Sequence, residues 1–167
     1  HIYFSPGSTK VGIVTSGGLC PGINNVVRSL VLELTHRYGV SQVVGFRYGF
    51  AGLDEDERFP PIALTPEVVR HIHSRGGTVL GTSRGARDPS RMVDALRSHG
   101  VDVLIAIGGD GTMRALGAIA EALGDSKIGL IGVPKTIDND IGLVDKTFGF
   151  ETAVAVAKDA IDAYLSS

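Results

Sequence analysis

VDVLIAIGGDGT, residues 101–112, decides the fold. Residues 101–107 are apolar except for Asp102, rich in β-branched side chains, and of the length of a buried strand. GGDGT then supplies a tight turn. Apolar residues recur at helical spacing from Met113 to Leu123. Strand, glycine turn and helix make the repeating unit of an α/β protein.

The unit recurs on both sides. VGIVT, residues 11–15, ends in SGG, and Pro21-Gly22 opens a segment with apolar residues at Val26, Val27, Leu30, Val31 and Leu34. That spacing predicts an amphipathic helix to about Arg37, closed near Gly39. QVVGFRY, residues 42–48, reads as a second strand, and Gly49 and Gly52 mark a loop. Thr65 and Pro66 suit the N-cap and N1 positions of a helix running to Ser74. RGGTVLGTSRGARD, residues 75–88, is glycine-rich and basic around an expected short strand, and Pro89 to Ser98 reads as a helix. IGLIGV, residues 128–133, is a further strand leading into PKTIDND, and a last helix is expected over 150–165. Alternating strands and helices call for a parallel sheet covered on both faces. The expected fold is a single Rossmann-like, three-layer α/β/α domain over residues 1–167 with a mostly parallel sheet.

The composition agrees: 167 residues suffice for one core, and 23 glycines with no tryptophan suit tight βα turns. Sixteen basic against eighteen acidic residues argue against a nucleic-acid partner held by bulk charge. No apolar run reaches the ~18 residues of a membrane span, so no membrane partner is expected. A single cysteine, Cys20, excludes an internal disulfide framework. A reducing compartment is the expectation, first the cytoplasm, with a plastid or glycosome as the alternatives. The first residue is His and no signal-peptide pattern opens the chain, as expected of a chain trimmed from something longer.

Four polar, glycine-rich loops fall at the expected strand ends, on the rim where α/β sheets bind ligands. SGGLCPG, residues 16–22, offers the amides of Gly17 and Gly18 without Cβ hindrance ahead of a helix N-terminus, an anion site. Its plain alternative is a βα turn that needs glycine; it is neither a Walker A loop nor G-x-G-x-x-G. In GGDGT, residues 108–112, Asp110 sits between Gly109 and Gly111, just before Thr112. A carboxylate beside phosphate-binding amides repels the ligand unless a cation intervenes, and Mg²⁺ bridging Asp110 to a polyphosphate removes the conflict. The alternative is a helix cap.

PKTIDND, residues 134–140, spaces Thr136, Asp138 and Asp140 two apart. In an extended segment all three face one side, where carboxylates can serve as base and charge partner for phosphoryl transfer to a hydroxyl. The alternative is a self-capped Asx turn. Asn139 points the other way and is expected to brace the loop. Arg84, within GTSRGARD (residues 81–88), can fork phosphate oxygens; alone it would read as an exposed loop arginine, but Gly81, Thr82, Ser83 and Gly85 around it favour a functional role. The five histidines show no metal-ligand spacing, and His71 and His73 are expected on a solvated helix face. Cys20 has no base partner and is expected to be packed.

TSGGLCPGINNVVR, GTSRGARD, GGDGT and PKTIDND, in this order and spacing, closely resemble the phosphofructokinase family from about Lys10 onward. GGDGT alone also occurs in NAD kinases and diacylglycerol kinases; PKTIDND together with TSGG-x-x-PG-x-N is far more specific. The resemblance implies the family's N-terminal domain fold and a glycolytic reaction. In that reaction a phosphoryl group moves from Mg²⁺-ATP to the 1-hydroxyl of fructose 6-phosphate, giving fructose 1,6-bisphosphate. By the same resemblance, Gly17, Gly18, Arg84, Gly109, Asp110, Gly111, Thr112 and Lys135 would bind donor phosphates, with Gly18 against the transferred one. Asp110 would hold Mg²⁺. Thr136, Asp138 and Asp140 would face the sugar, with Asp138 as base and Arg84 and Thr136 sharing the catalytic work.

Pyrophosphate users in the family usually carry Asp where this chain has Gly111. A carboxylate there would repel an α-phosphate, so Gly111 points to ATP. Lys135 is shared with pyrophosphate enzymes, but also with the plant and kinetoplastid ATP-dependent branch that this sequence resembles most. A pyrophosphate-dependent enzyme and a non-catalytic nucleotide-binding or regulatory subunit are the alternatives. The chain departs from the family at Ala115, where glycine is frequent, and at Leu19, where bacterial enzymes have Asp. Family chains are about twice this length, and the motifs of their second half do not occur here. The expectation is an N-terminal nucleotide-binding domain lacking the C-terminal substrate half, truncated or naturally half-length and nearly inactive alone. The full-length protein is expected to be a homo-oligomer.

Overall fold

The computed structural model describes residues 4–54, 57–142 and 144–166. Strands β1 (Lys10–Thr15), β2 (Gln42–Phe46), β3 (Ile62–Ala63), β4 (Val103–Gly108) and β5 (Gly129–Pro134) form one sheet. Its order is β3-β2-β1-β4-β5. β2, β1, β4 and β5 run parallel, and the short β3 lies antiparallel on β2. This is the strand order of a Rossmann-like sheet, whose direction of winding reverses between β1 and β4.

Period-2 alternation explains the two cores. Val11, Ile13, Ile105 and Ile107 point to one face and pack against Val27 and Val31 of α1 (Ile23–Leu32) and Val69 of α3 (Pro66–Val69). Val14, Phe46, Leu104 and Ala106 point to the other. There they meet Met92, Val93 and Leu96 of α4 (Pro89–Ser98) and Leu116, Ile119 and Leu123 of α5 (Asp110–Leu123). A four-residue α2 (Ala51–Asp54) follows β2 and buries Ala51 and Leu53. The expected three-layer fold is therefore present.

Three local expectations need correction. No strand forms within 75–88: Gly77, Gly81 and Gly85 take left-handed φ of 75°, 71° and 108°, which breaks any extended run. The segment instead crosses the strand ends, with Leu80 buried and its carbonyl accepting from Tyr48 N at 2.7 Å. The helix expected from Thr65 to Ser74 splits into α3 and a 3₁₀ turn over Ile72–Ser74. Thr65 caps it as expected, accepting from Val68 N at 3.3 Å, but α1 then takes the later carbonyls for itself. Arg28 Nε donates to Arg70 O at 3.4 Å, and Asn24 Nδ2 donates to Arg75 O at 2.9 Å. Finally, α5 begins at Asp110 rather than Met113, with Gly109 as its N-cap.

The last helix, α6 (Phe150–Leu165), matches its expected bounds yet buries no residue. Val154, Val156, Ile161, Tyr164 and Leu165 stand exposed, as does Ile131 on the edge strand β5. Among the described residues, no helix is long and apolar enough to cross a membrane.

Candidate active site

The loops after β1, β4 and β5 leave the sheet at the same rim, on either side of its switch point. Hydrogen bonds fasten the 81–88 loop onto the β1 loop. Thr82 Oγ1 donates to Gly17 O at 2.7 Å, Gly17 N donates to Ser83 O at 3.1 Å, and Thr15 Oγ1 donates to Gly81 O at 2.7 Å. This brings Arg84 over Gly18: a Cβ at Gly18 would lie 3.2 Å from Arg84 Nη2. On the other side, Lys135 N donates to Gly108 O at 2.9 Å, joining PKTIDND to GGDGT. A Cβ at Gly108 would collide with Thr112 Oγ1, so glycine there lets the buried Thr112 fold back on the turn.

Two cavities result. The larger, about 580 Å³, is lined by Gly17, Gly18, Arg84, Arg87, Gly109, Gly111, Thr112, Arg114 and Lys135. Phe50, Pro89, Met92, Ala115 and Ala118 add apolar surface to its wall. Among the described residues, four cationic side chains and no carboxylate line it. The smaller, about 400 Å³, is lined by Asp110, Thr136 and Asp140. Gly109 and Lys135 line both, so the cavities meet there; Lys135 is only 6% exposed. A cationic, partly apolar cleft abutting an acidic one suits a polyphosphate ester on one side and a neutral hydroxyl compound on the other.

PKTIDND does not run extended. Asn139 takes a left-handed φ of 54°, which turns the chain and brings Thr136 Oγ1 to Asp140 Oδ1 at 2.5 Å. Asp138 N donates to Thr136 Oγ1 at 3.1 Å. The three groups thus form a self-capped turn rather than one even row, and only Thr136 and Asp140 line the cavity. Asp138 is exposed, and its carboxylate accepts no hydrogen bond among the described residues. Asn139 braces the loop as expected. Its Oδ1 accepts from Thr147 N at 2.8 Å and its Nδ2 donates to Asp145 O at 3.3 Å. Thr147 Oγ1 lies 3.1 Å from Thr136 O.

Asp110 does not act as a cap; it occupies the first turn of α5 and faces the smaller cavity. Among the described residues no three His, Cys, Asp or Glu cluster to hold a metal. One carboxylate still fits Mg²⁺, which keeps waters and takes its other ligands from substrate phosphates. The starts of α4, at Pro89, and of α5 border the larger cavity, while α1, expected to supply a helix start there, contributes no lining residue. Cys20 is packed as expected, its thiol donating to Phe148 O at 3.1 Å. Burial pushes that thiol's pKa up, partly offset by the nearby charge of Lys135. His71 and His73 are exposed. Arg87 and Arg114 lay outside the sequence reading. Their only signals are position, three residues after Arg84 and two after Thr112.

A mostly parallel α/β sheet with a cationic cleft at its switch point defines the class. The family model for phosphofructokinase matches residues 10–167, and the chain belongs to that family. An "ATP-dependent 6-phosphofructokinase" of Amycolatopsis methanolica is 54% identical over 97% of this chain and 36% of its own length. One of Entamoeba histolytica with the same name is 49% identical over 97% of this chain and 37% of its own length. The fold matches a pyrophosphate-dependent phosphofructokinase from Marinobacter aquaeolei with a TM-score of 0.81. That match has 22% identity over 95% of this chain and 41% of the other. The chain spans about a third of the length of the curated relatives it matches.

Proposed function

We propose that this chain is the nucleotide-binding segment of an ATP-dependent 6-phosphofructokinase. The full protein would move the γ-phosphoryl group of ATP to the 1-hydroxyl of fructose 6-phosphate. One observation carries the reading: the cationic cleft and the acidic cleft meet at Gly109 and Lys135, so a bound polyphosphate and a bound alcohol would share a boundary.

Arg84, Lys135 and the amides of Gly17, Gly18, Gly109, Gly111 and Thr112 bind and orient the donor's phosphates. Asp110 would hold Mg²⁺, which would neutralise phosphate charge. The apolar lining of the larger cavity, including Phe50 and Met92, favours a nucleotide over bare pyrophosphate, which has no apolar part to set against it. Asp140 is engaged by Thr136, whereas the exposed Asp138 carboxylate, outside the lining of the smaller cavity, has no hydrogen-bond partner among the described residues and would accept the proton of a hydroxyl that reaches out of that cavity. Asp140 and Thr136 then orient the sugar.

The smaller cavity has one cation, Lys135, against two carboxylates, too few to hold a sugar phosphate. Further chain packed on the exposed faces of α6 and β5 would supply the rest, in a homo-oligomeric enzyme of the cytoplasm. The test is donor choice in the full-length protein. A coupled assay should show turnover with Mg²⁺-ATP and at least about a hundredfold less with pyrophosphate. Equal or better turnover with pyrophosphate transfers the reading to the pyrophosphate-dependent enzymes. Donor binding without turnover points to a regulatory subunit.

A further inference from the structure

The 81–88 loop carries two arginines into the donor cleft, yet it belongs to no helix or strand. Arg84 and Arg87 share that cleft with Arg114 and Lys135, and like charges tend to push one another outward into water when no anion is bound. Something must hold the loop's outer arginine in place.

We propose that Asp54, the last residue of α2, is a positioning residue that holds Arg87 at the donor cleft. Its side chain is only 11% exposed and does not line the cleft; it borders a separate cavity together with Arg91. Asp54 Oδ2 is 3.5 Å from Arg87 Nη1, and Oδ1 is 3.2 Å from Arg91 Nε. Arg91 Nη2 also donates to the Asp54 carbonyl at 2.7 Å. Asp54 therefore grips both sides of the junction where the loop enters α4, a junction further fixed by Asp88 accepting from Ser90 N at 2.9 Å. α2 is itself anchored, with Phe50, Ala51 and Leu53 buried. It reaches the loop a second time, where Ala51 N donates to Ser83 Oγ at 3.4 Å, beside Arg84.

The physical consequence is preorganisation. A buried carboxylate behind Arg87 offsets the repulsion among the cleft cations, so the guanidinium is in place before the donor arrives and less ordering is left to binding. Asp54 touches neither donor nor acceptor. Its effect should appear in donor affinity and leave the acceptor side alone.

This inference rests on the larger cavity being the donor site. The experiment uses the full-length enzyme with Asp54→Asn, Asp54→Glu, Arg87→Gln and the double variant Asp54→Asn/Arg87→Gln. It reads the calorimetric Kd for Mg²⁺-ATP, KM for each substrate, kcat and Tm. Asp54→Asn should raise the ATP Kd and KM about tenfold while KM for fructose 6-phosphate and kcat stay within about twofold. Arg87→Gln should give a similar rise, the double variant no more than either single one, and Asp54→Glu should recover most of the loss.

A donor Kd unmoved by Arg87→Gln overturns the proposal, whether or not the Asp54 variants fold. So does a double variant whose losses multiply, or an Asp54→Asn protein in which both KM values rise as Tm falls. The two readings fail separately. A wild type that binds pyrophosphate but not ATP sinks the nucleotide assignment, and the Asp54 series is then read on the pyrophosphate Kd. A wild type that binds neither overturns both.

Discussion

Gly111→Asp puts the donor assignment under direct strain. Gly111 is the second residue of α5, it lines the larger cavity, and a Cβ there would meet nothing within 4 Å. The site is helical without a left-handed φ, so the backbone accepts any residue. Asp is no worse than Gly in a helix, and in the first turn it gains about 0.3–1 kcal/mol from the helix dipole. The variant should therefore fold at least as stably as the wild type. The donor suffers instead. A second carboxylate about 5 Å from a phosphate charge, at an effective dielectric of ~20, costs about 3 kcal/mol, or roughly two hundredfold in affinity. Counterions and the cleft arginines reduce this, so a thirty- to two-hundredfold rise in ATP KM is expected. Gly111→Ala fills the same open space without charge and should stay within about threefold; Gly111→Asn should fall between. The assay is coupled turnover of the full-length enzyme with ATP and with pyrophosphate, beside thermal melts. An ATP KM that Asp leaves unchanged, or that Ala raises as much as Asp, would refute the placement of the α- and β-phosphates beside Gly111.

Three further outcomes follow from the geometry. Asp138→Asn should lower turnover by about 10²–10⁴ while the calorimetric Kd for Mg²⁺-ATP holds, because only the proton acceptor is lost; undiminished kcat removes Asp138 as base. Asn139→Ala should cost about 2 kcal/mol in urea unfolding, from the lost Thr147 bond and the left-handed φ of 54°. Asn139→Gly keeps the backbone at ease and should cost about 1 kcal/mol less; equal losses would mean that the turn is not strained. Burial raises the Cys20 thiol above its ordinary 9.0, so the native state keeps that proton longer than the unfolded chain. Its stabilising contribution is complete below about pH 9 and is lost as pH climbs through the raised native value. Tm should accordingly fall more steeply above about pH 9 in the wild type than in Cys20→Ala. Native Cys20 should also resist iodoacetamide at about pH 8 until urea is added.

The layers of the fold were legible because their signals are local. Apolar runs ending in glycine turns, as in β1 and β4, depend on neighbours within a few residues, and α4 and α6 emerged with their expected bounds. Thr78, Val79 and Leu80 have the propensity of a strand. Gly77 and Gly81, at left-handed φ, instead turn the segment across the rim to meet Tyr48, some thirty residues earlier in the chain. The helix after Thr65 ended early for the same kind of reason: the Arg70 carbonyl, which a continuing helix would have offered to Ser74 N, accepts from Arg28 on α1.

At the site, residue types were legible and the division of labour was not. Alternating Thr136, Asp138 and Asp140 pointed to a loop that borders the smaller cavity, but the left-handed turn at Asn139 decides which carboxylate is engaged and which is free. Arg84 stood out because glycines and hydroxyls surround it in sequence. Arg87 did not, because its carboxylate partner, Asp54, comes from another element. A residue whose role depends on a distant charge leaves no local pattern. The larger cleft was therefore visible from its glycines, while the charge that pairs with Arg87 emerged only once α2 and α4 were packed together.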